Sequence, residues 1–319
     1  MKRFQFILVF LLVTSFVIAQ DADKLITEEY VRKIVSTLAA DEMMGRSAAT
    51  PKHTNKAVDF IVSQFKEIGL EPLTGLTGFR QEFTDKRFPG VTMNNVVGII
   101  KGKSRPDELV VFGAHYDHIG VIEPVAGDSI ANGADDDASG TTAVIALAKY
   151  FKALNNNERT LIFVTFSAEE IGGTGSKTFT ESIDADKVVA MFNIEMIGKH
   201  SKWGTNAAFI TGFERSDFGK ILQKNVQGTN FKFEPDPYPD QQLFYRSDNA
   251  RLAMKGVPAH SISTDEIDKD QLYHTVNDEV ESLDIKNMTD VIKGIALGSK
   301  SIVSGQDTPT RIPPLGKGK

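Results

Sequence analysis

The chain has 319 residues, 41% hydrophobic and 24% charged, an ordinary globular composition that sets aside the disordered and fibrous classes. Its formal net charge of -6 argues against a nucleic-acid partner, because phosphate binding needs a basic face. Cysteine is absent, which removes disulfides, a thiol nucleophile and thiolate ligands, so any metal must be held by imidazole and carboxylate.

Residues 1–20 open with Lys2 and Arg3, continue as an apolar run from Phe4 to Ala19, and end on a small residue before Gln20. That is the pattern of a cleavable signal peptide. The run is shorter than the roughly 20 residues a spanning helix needs. The expectation is export, periplasmic or secreted, with no stable membrane insertion after cleavage. Thr27 then precedes a helical pattern with Glu28 and Glu29 in its first turn and Tyr30, Ile34 and Leu38 on one face. A second helix is predicted from Thr54 to Ile68, stopping at Gly69. The period then changes to strands at 95–100 and 108–112, followed by a helix at 141–154. The apolar run Thr160 to Phe166 is the strongest strand signal. A helix at 176–182, strands at 188–195, 207–211 and 257–263, and a long helix at 284–303 complete the pattern.

Strands alternating with helices predict an α/β fold, a three-layer α/β/α sandwich around a central mixed, mostly parallel sheet. One domain is expected over 21–304, with no internal repeat. Residues 305–319, with Pro309, Pro313 and Pro314, are expected to be an unstructured tail.

The polar residues of interest sit where buried strands end. The run Glu108–Phe112 breaks into Gly113-Ala114-His115-Tyr116-Asp117-His118, Thr160–Phe166 into Ser167-Ala168-Glu169-Glu170, and Val188–Ile194 into Glu195. In open α/β sheets ligands gather at the carboxyl ends of strands. Between the first two strands, Asp135-Asp136-Asp137 precede a helix. Each piece alone has an ordinary reading: a hydrogen-bonded core histidine, a solvated Glu-Glu loop, a helix cap. A calcium loop fails, since its twelfth position is Ala146 rather than Glu. Crowded acids repel unless cations neutralise them, and imidazole with carboxylate suits zinc.

The segments VVFGAHYDHIG, NGADDDASGTTAV, FVTFSAEEIGGTGS, FNIEMIG and YHTVNDE resemble, in order, the signature segments of the bacterial di-zinc aminopeptidase family, secreted co-catalytic zinc exopeptidases. LAADEMMGRSAATP and YRSDNARLAMKGVPAHSIS resemble its flanking segments, so the likeness runs from residue 25 or so to residue 300. The resemblance implies two Zn(2+) ions per chain. His115 and Glu195 would hold one, Glu170 and His274 the other, with Asp136 bridging. Glu169 would be the general base and Asp117 would fix the tautomer of His115. Tyr273 would stabilise the oxyanion, with Tyr245 a weaker candidate. Glu195 stands where the best-known members have Asp, and Asn249 where His is common. His118 is not matched to a ligand and is read as structural; His53, His200 and His260 are read as surface or packing residues.

The implied reaction is hydrolysis of N-terminal peptide bonds of peptides or proteins. A glutaminyl-peptide cyclase-like single-zinc enzyme, a carboxypeptidase or dipeptidase on the same scaffold, and a binding module that has lost activity are the alternatives. A serine hydrolase is a poor fit, since no Gly-x-Ser-x-Gly elbow occurs. The oligomeric state is left open.

Overall fold

The computed structural model describes residues 22–313; the expected signal segment and residues 314–319 lie outside them. Helix α1 (Glu28–Leu38) starts where Thr27 Oγ1 accepts the Tyr30 N–H at 3.2 Å, and it buries Val31, Ile34, Val35 and Leu38. Helix α2 (Pro51–Ile68) begins three residues before the expected Thr54, because the fixed φ of Pro51 suits a first helical turn. It ends at Gly69 in the left-handed conformation.

The strands are β1 (Glu71–Pro72), β2 (Arg80–Thr84), β3 (Thr92–Ile100), β4 (Arg105–His115), β5 (Gly120–Val125), β6 (Asp128–Ala131), β7 (Arg159–Phe166), β8 (Val188–Ile194), β9 (Ala207–Ile210), β10 (Lys232–Pro235) and β11 (Ala259–Ser263). Nine of them form one sheet in the order β1-β3-β7-β4-β8-β11-β9-β10, with β2 also pairing along β3. Strands β7, β4, β8 and β11 are mutually parallel, β3 runs against its neighbours, and β9 runs against β11 with β10 parallel to it. The sheet is therefore mixed and parallel at its centre. Strands β5 and β6 form a separate hairpin.

Alternation along the central strands shows why both faces are covered. Val110, Phe112 and Ala114 of β4, with Leu161 and Phe163 of β7, join one core cluster; Val111, Ile162, Val164 and Phe166 join the other. The first is covered by α1, α2, α3 (Gly140–Leu154), α5 (Phe218–Asn225) and α7 (Ile285–Gly298). The second lies under α4 (Thr174–Ser182) and α6 (Asn249–Ala253). Phe112 stacks between Phe163 and Phe192 at centroid distances of 5.4 and 4.8 Å, locking β7, β4 and β8 into one layer. The expected helix 284–303 is divided: α7 ends at Gly298, Ser299 donates its hydroxyl to Ala296 O at 3.1 Å, and α8 (Lys300–Val303) follows.

Residues 305–313 correct the expectation of an unstructured tail for that part of it, the remainder lying outside the described residues. Residues 305–313 form no helix or strand, yet they pack on the domain. Arg159, buried at the start of β7, donates to Ile302 O and Asp307 O at 2.7 Å each and to Thr308 Oγ1 at 2.5 Å. Arg311 donates to Val188 O at 3.0 Å, and Ile312 is buried in the second core cluster with its N–H on Gly256 O. Prolines bar regular structure there but not packing. Among the described residues no helix is long and apolar enough to cross a membrane.

Candidate metal centre

Because β7, β4, β8 and β11 are parallel, their carboxyl ends meet on one edge, and the strand-end residues meet with them. His115 is the last residue of β4, Glu195 follows β8, and Glu169 and Glu170 lie just past β7. Asp136 sits in the turn Ala134–Ser139 ahead of α3, and His274 in the loop after β11. Three non-glycine residues at this edge adopt positive φ: Ala168 (67°), Met196 (48°) and His274 (58°). Sharp left-handed turns of this kind are uncommon outside glycine and aim the neighbouring side chains inward.

Two groups of candidate ligands share Asp136. In one, His115 Nε2 lies 3.2 Å from Asp136 Oδ1 and 3.2 Å from Glu195 Oε1. In the other, His274 Nε2 lies 3.2 Å from Asp136 Oδ2 and 3.0 Å from Glu170 Oε2. Zinc bonds of about 2.0–2.1 Å would set neighbouring tetrahedral ligand atoms roughly 3.3 Å apart, so these spacings fit ligands around a common ion. Buried His274 Nε2 makes a hydrogen bond with neither carboxylate despite touching both. Electrostatics point the same way. Burial pulls the His115 pKa down, but Glu195 and Asp136 outweigh it and hold it well above the usual value. His274 is likewise pushed up to about 10: burial opposes the shift, and the adjoining carboxylates of Asp136 and Glu170 drive it. The site favours positive charge at both imidazoles, and the five residues fit a pair of divalent cations.

His118 also belongs here, contrary to its reading as a structural residue. Its Nδ1 donates to Glu170 Oε1 at 2.7 Å and lies 3.6 Å from Asp136 Oδ2, while Nε2 is buried without a partner. The sequence signal was its position, three residues after a candidate ligand at a strand end. Asp117 acts differently from expectation. Its backbone carbonyl, not its carboxylate, accepts from His115 Nδ1 at 3.0 Å and so leaves Nε2 free for a cation; the carboxylate is 3.9 Å away. That carboxylate instead accepts the Glu169 N–H at 3.2 Å, and burial pushes its pKa up to about 7. Ser247 donates to Glu195 Oε2 at 2.5 Å, fixing the longer acid.

The Asp136 turn is held from below. Asp278 accepts the N–H groups of Asp135 and Asp136 at 3.0 Å each. Gly133 has φ of 55°, and a Cβ there would come within 2.5 Å of the His118 ring, so the turn demands glycine. Arg46, fully buried, donates to Leu38 O, Tyr116 O, Asn132 O and Gly133 O at 2.6–2.8 Å. It ties α1, the segment after His115 and the Asp136 turn together. Replacing Arg46 with Met should cost on the order of 3–5 kcal/mol, since four buried carbonyls lose their donor. Denaturant midpoints read this loss, and weaker metal retention should accompany it; an unchanged midpoint would show the carbonyls find other donors.

A third acidic group, Asp135, Asp265 and Asp270, already contains a cation: Lys199 Nζ lies 3.3 Å from Asp135 and 2.8 Å from Asp270. It links the Asp136 turn to the loop carrying His274. Glu169 lines the active cavity without joining either ligand group. Burial, with the charges of Asp248, Glu195 and Glu170, raises its pKa well above the carboxylate range. Tyr273 lines the same cavity and stacks on His274 at 3.8 Å. Tyr245 does not: its hydroxyl accepts from Arg215 at 3.2 Å over a separate depression, which removes it as an oxyanion candidate. Asn249 lies beneath the cavity, donating to Phe244 O and Ala259 O. His260 is a packing residue, bonded to Ser216 Oγ and Thr211 O. His200 is at the surface, paired with Asp284.

Residues 95–297, more than half of the chain, match Peptidase family M28, and the chain belongs to that family. Leucine aminopeptidase 1 of Pyrenophora tritici-repentis (strain Pt-1C-BFP) is 31% identical over 209 residues, 61% of this chain and 52% of that protein. The chain thus spans about half the length of that relative, 52%. The aminopeptidase of Aneurinibacillus sp. strain AM-1 superposes with a TM-score of 0.67 at 16% identity, over 94% of this chain and 98% of that one. The glutaminyl cyclase of Porphyromonas gingivalis does so with a TM-score of 0.67 at 15% identity, over 87% and 99%. At these identities the likeness is one of fold.

Proposed function

We propose that this chain is an exported zinc-dependent aminopeptidase that hydrolyses N-terminal peptide bonds at a two-ion centre. The observation that carries the reading is the pair of ligand groups sharing Asp136, beside a carboxylate, Glu169, that belongs to neither. When bound, two zinc ions would acidify a water and polarise the scissile carbonyl. Glu169 takes the proton of the attacking water and returns it to the leaving amine, a task its raised pKa suits. The Tyr273 hydroxyl, protonated because burial raises its pKa, donates to the oxygen that gains charge. The cavity offers apolar walls at Met196, Phe209 and Ile267 to the first residue of the substrate. Residues 1–20 would direct export and be removed; N-terminal sequencing of the exported protein tests this.

The test of the function is turnover of a panel of aminoacyl anilides, with and without chelator, beside metal analysis of the protein. Two metals per chain and chelator-sensitive release of the aniline support the aminopeptidase. The shared fold with a glutaminyl cyclase keeps that reaction as the second reading. One metal per chain and cyclisation of N-terminal glutamine, with no anilide release, would establish it instead.

A further inference from the structure

One basic side chain lines the active cavity among the described residues: Arg246. It follows the turn 243–245, its backbone N–H donating to Leu243 O at 3.0 Å. The next residue, Ser247, is clamped to Glu195 Oε2, so the Arg246 backbone is fixed beside the His115–Glu195 group. Its guanidinium is exposed and makes no ion pair or hydrogen bond with any described residue. That is unexpected for a cation lining a cavity so rich in carboxylates. Three of the five carboxylates that line the cavity are engaged elsewhere, and the other two, Glu169 and Asp265, form no ion pair with Arg246. Glu195 faces His115 and Ser247, Glu170 faces His118 and His274, and Asp136 faces His115 and His274. Arg246 is left with its five donors facing solvent at the mouth of the cavity.

We propose that Arg246 binds a carboxylate of the substrate. A guanidinium is planar, permanently charged and matched to a carboxylate by two parallel N–H···O bonds. Among the described residues no other basic side chain lines the cavity, and no carboxylate forms an ion pair with Arg246. The carboxylate has two sources: the side chain of an acidic N-terminal residue, or the free C-terminus of a dipeptide, one residue past the scissile bond. The inference rests on the peptidase reading above for the place of the substrate, but its test does not depend on turnover.

The experiment compares matched pairs on the metal-loaded protein. Leu-Gly against Leu-Gly amide reads the C-terminal source; aspartyl and glutamyl anilides against asparaginyl and glutaminyl anilides read the side-chain source. In one arm the acid should be favoured about tenfold over its amide, chiefly through KM, with the preference shrinking as salt rises. Arg246→Ala should bring that ratio close to one, and Arg246→Lys should restore part of it as charge without the fork. The arm that shows the preference identifies the source. Titrating the same pairs calorimetrically into the Glu169→Ala protein reads the preference as an affinity ratio without turnover, so a failed peptidase reading is distinguished from a failed role for Arg246. Equal acid-to-amide ratios in the native and Arg246→Ala proteins, in both arms, overturn the proposal.

Discussion

Replacing Glu169 with alanine should lower anilide turnover by about a thousandfold, in the range expected for losing a general base, while metal content stays at the native level. Glu169 and Glu170 are adjacent in the chain but differ in what they touch. Glu170 meets His118 and His274 through its two oxygens and lies within a ligand group. Glu169 is in none, and its backbone N–H is pinned by Asp117. The corresponding Glu170→Ala protein should therefore lose metal as well as activity. Metal analysis beside kinetics separates the two, and loss of metal from Glu169→Ala would mean that the roles of the pair are reversed.

Chelation should remove activity completely and also destabilise the fold. Asp117, Asp136, Asp137 and Asp248 are at most 3% exposed, and with Glu169, Glu170 and Glu195 they crowd one sheet edge. Without cations these acids either repel or take up protons. An ion present at a thousand times its dissociation constant contributes about 4 kcal/mol to the folded state. For a chain of this size that corresponds to a fall in Tm on the order of 10 °C, reversed when zinc is added back. A Tm insensitive to chelator, with activity lost, would indicate that the acids are neutralised by protons and that the ions contribute little to the fold.

The central layer was legible in the sequence because fully buried strands are continuous apolar runs: β7 from Arg159 to Phe166 has no exposed residue. Where such a run breaks into His115, Glu169 or Glu195, the break marks the sheet edge. The strands that escaped notice carry little apolar pattern. Both residues of β1 are exposed, and β5 and β6 form an exposed hairpin apart from the sheet. The packed segment 305–313 escaped for a related reason. It is held by Arg159 and by backbone carbonyls, and hydrogen bonds to carbonyls leave no periodic trace. The same applies around the site. The positions of His115, Asp136, Glu170, Glu195 and His274 could be read from motifs, whereas Arg46 and Lys199 act on partners remote in sequence. Arg46 reaches residues 70 to 87 positions away, and Lys199 spans 71 positions to Asp270. His118, which joins the Glu170 group, and Tyr245, which lies away from the cavity, were visible in the sequence but placed differently by the structure.

The candidate ligands come from five separate stretches between His115 and His274, on strands and turns that meet only when β4, β7, β8 and β11 lie side by side. Contacts of such long sequence separation are entropically costly and form late in folding. No short peptide of this chain holds more than a fraction of either ligand group. The ions therefore cannot seed folding from a local nucleus, as they do in small zinc modules; they can only capture an edge that the sheet has already built. A refolding chain should acquire activity no earlier than its core, whatever the zinc concentration.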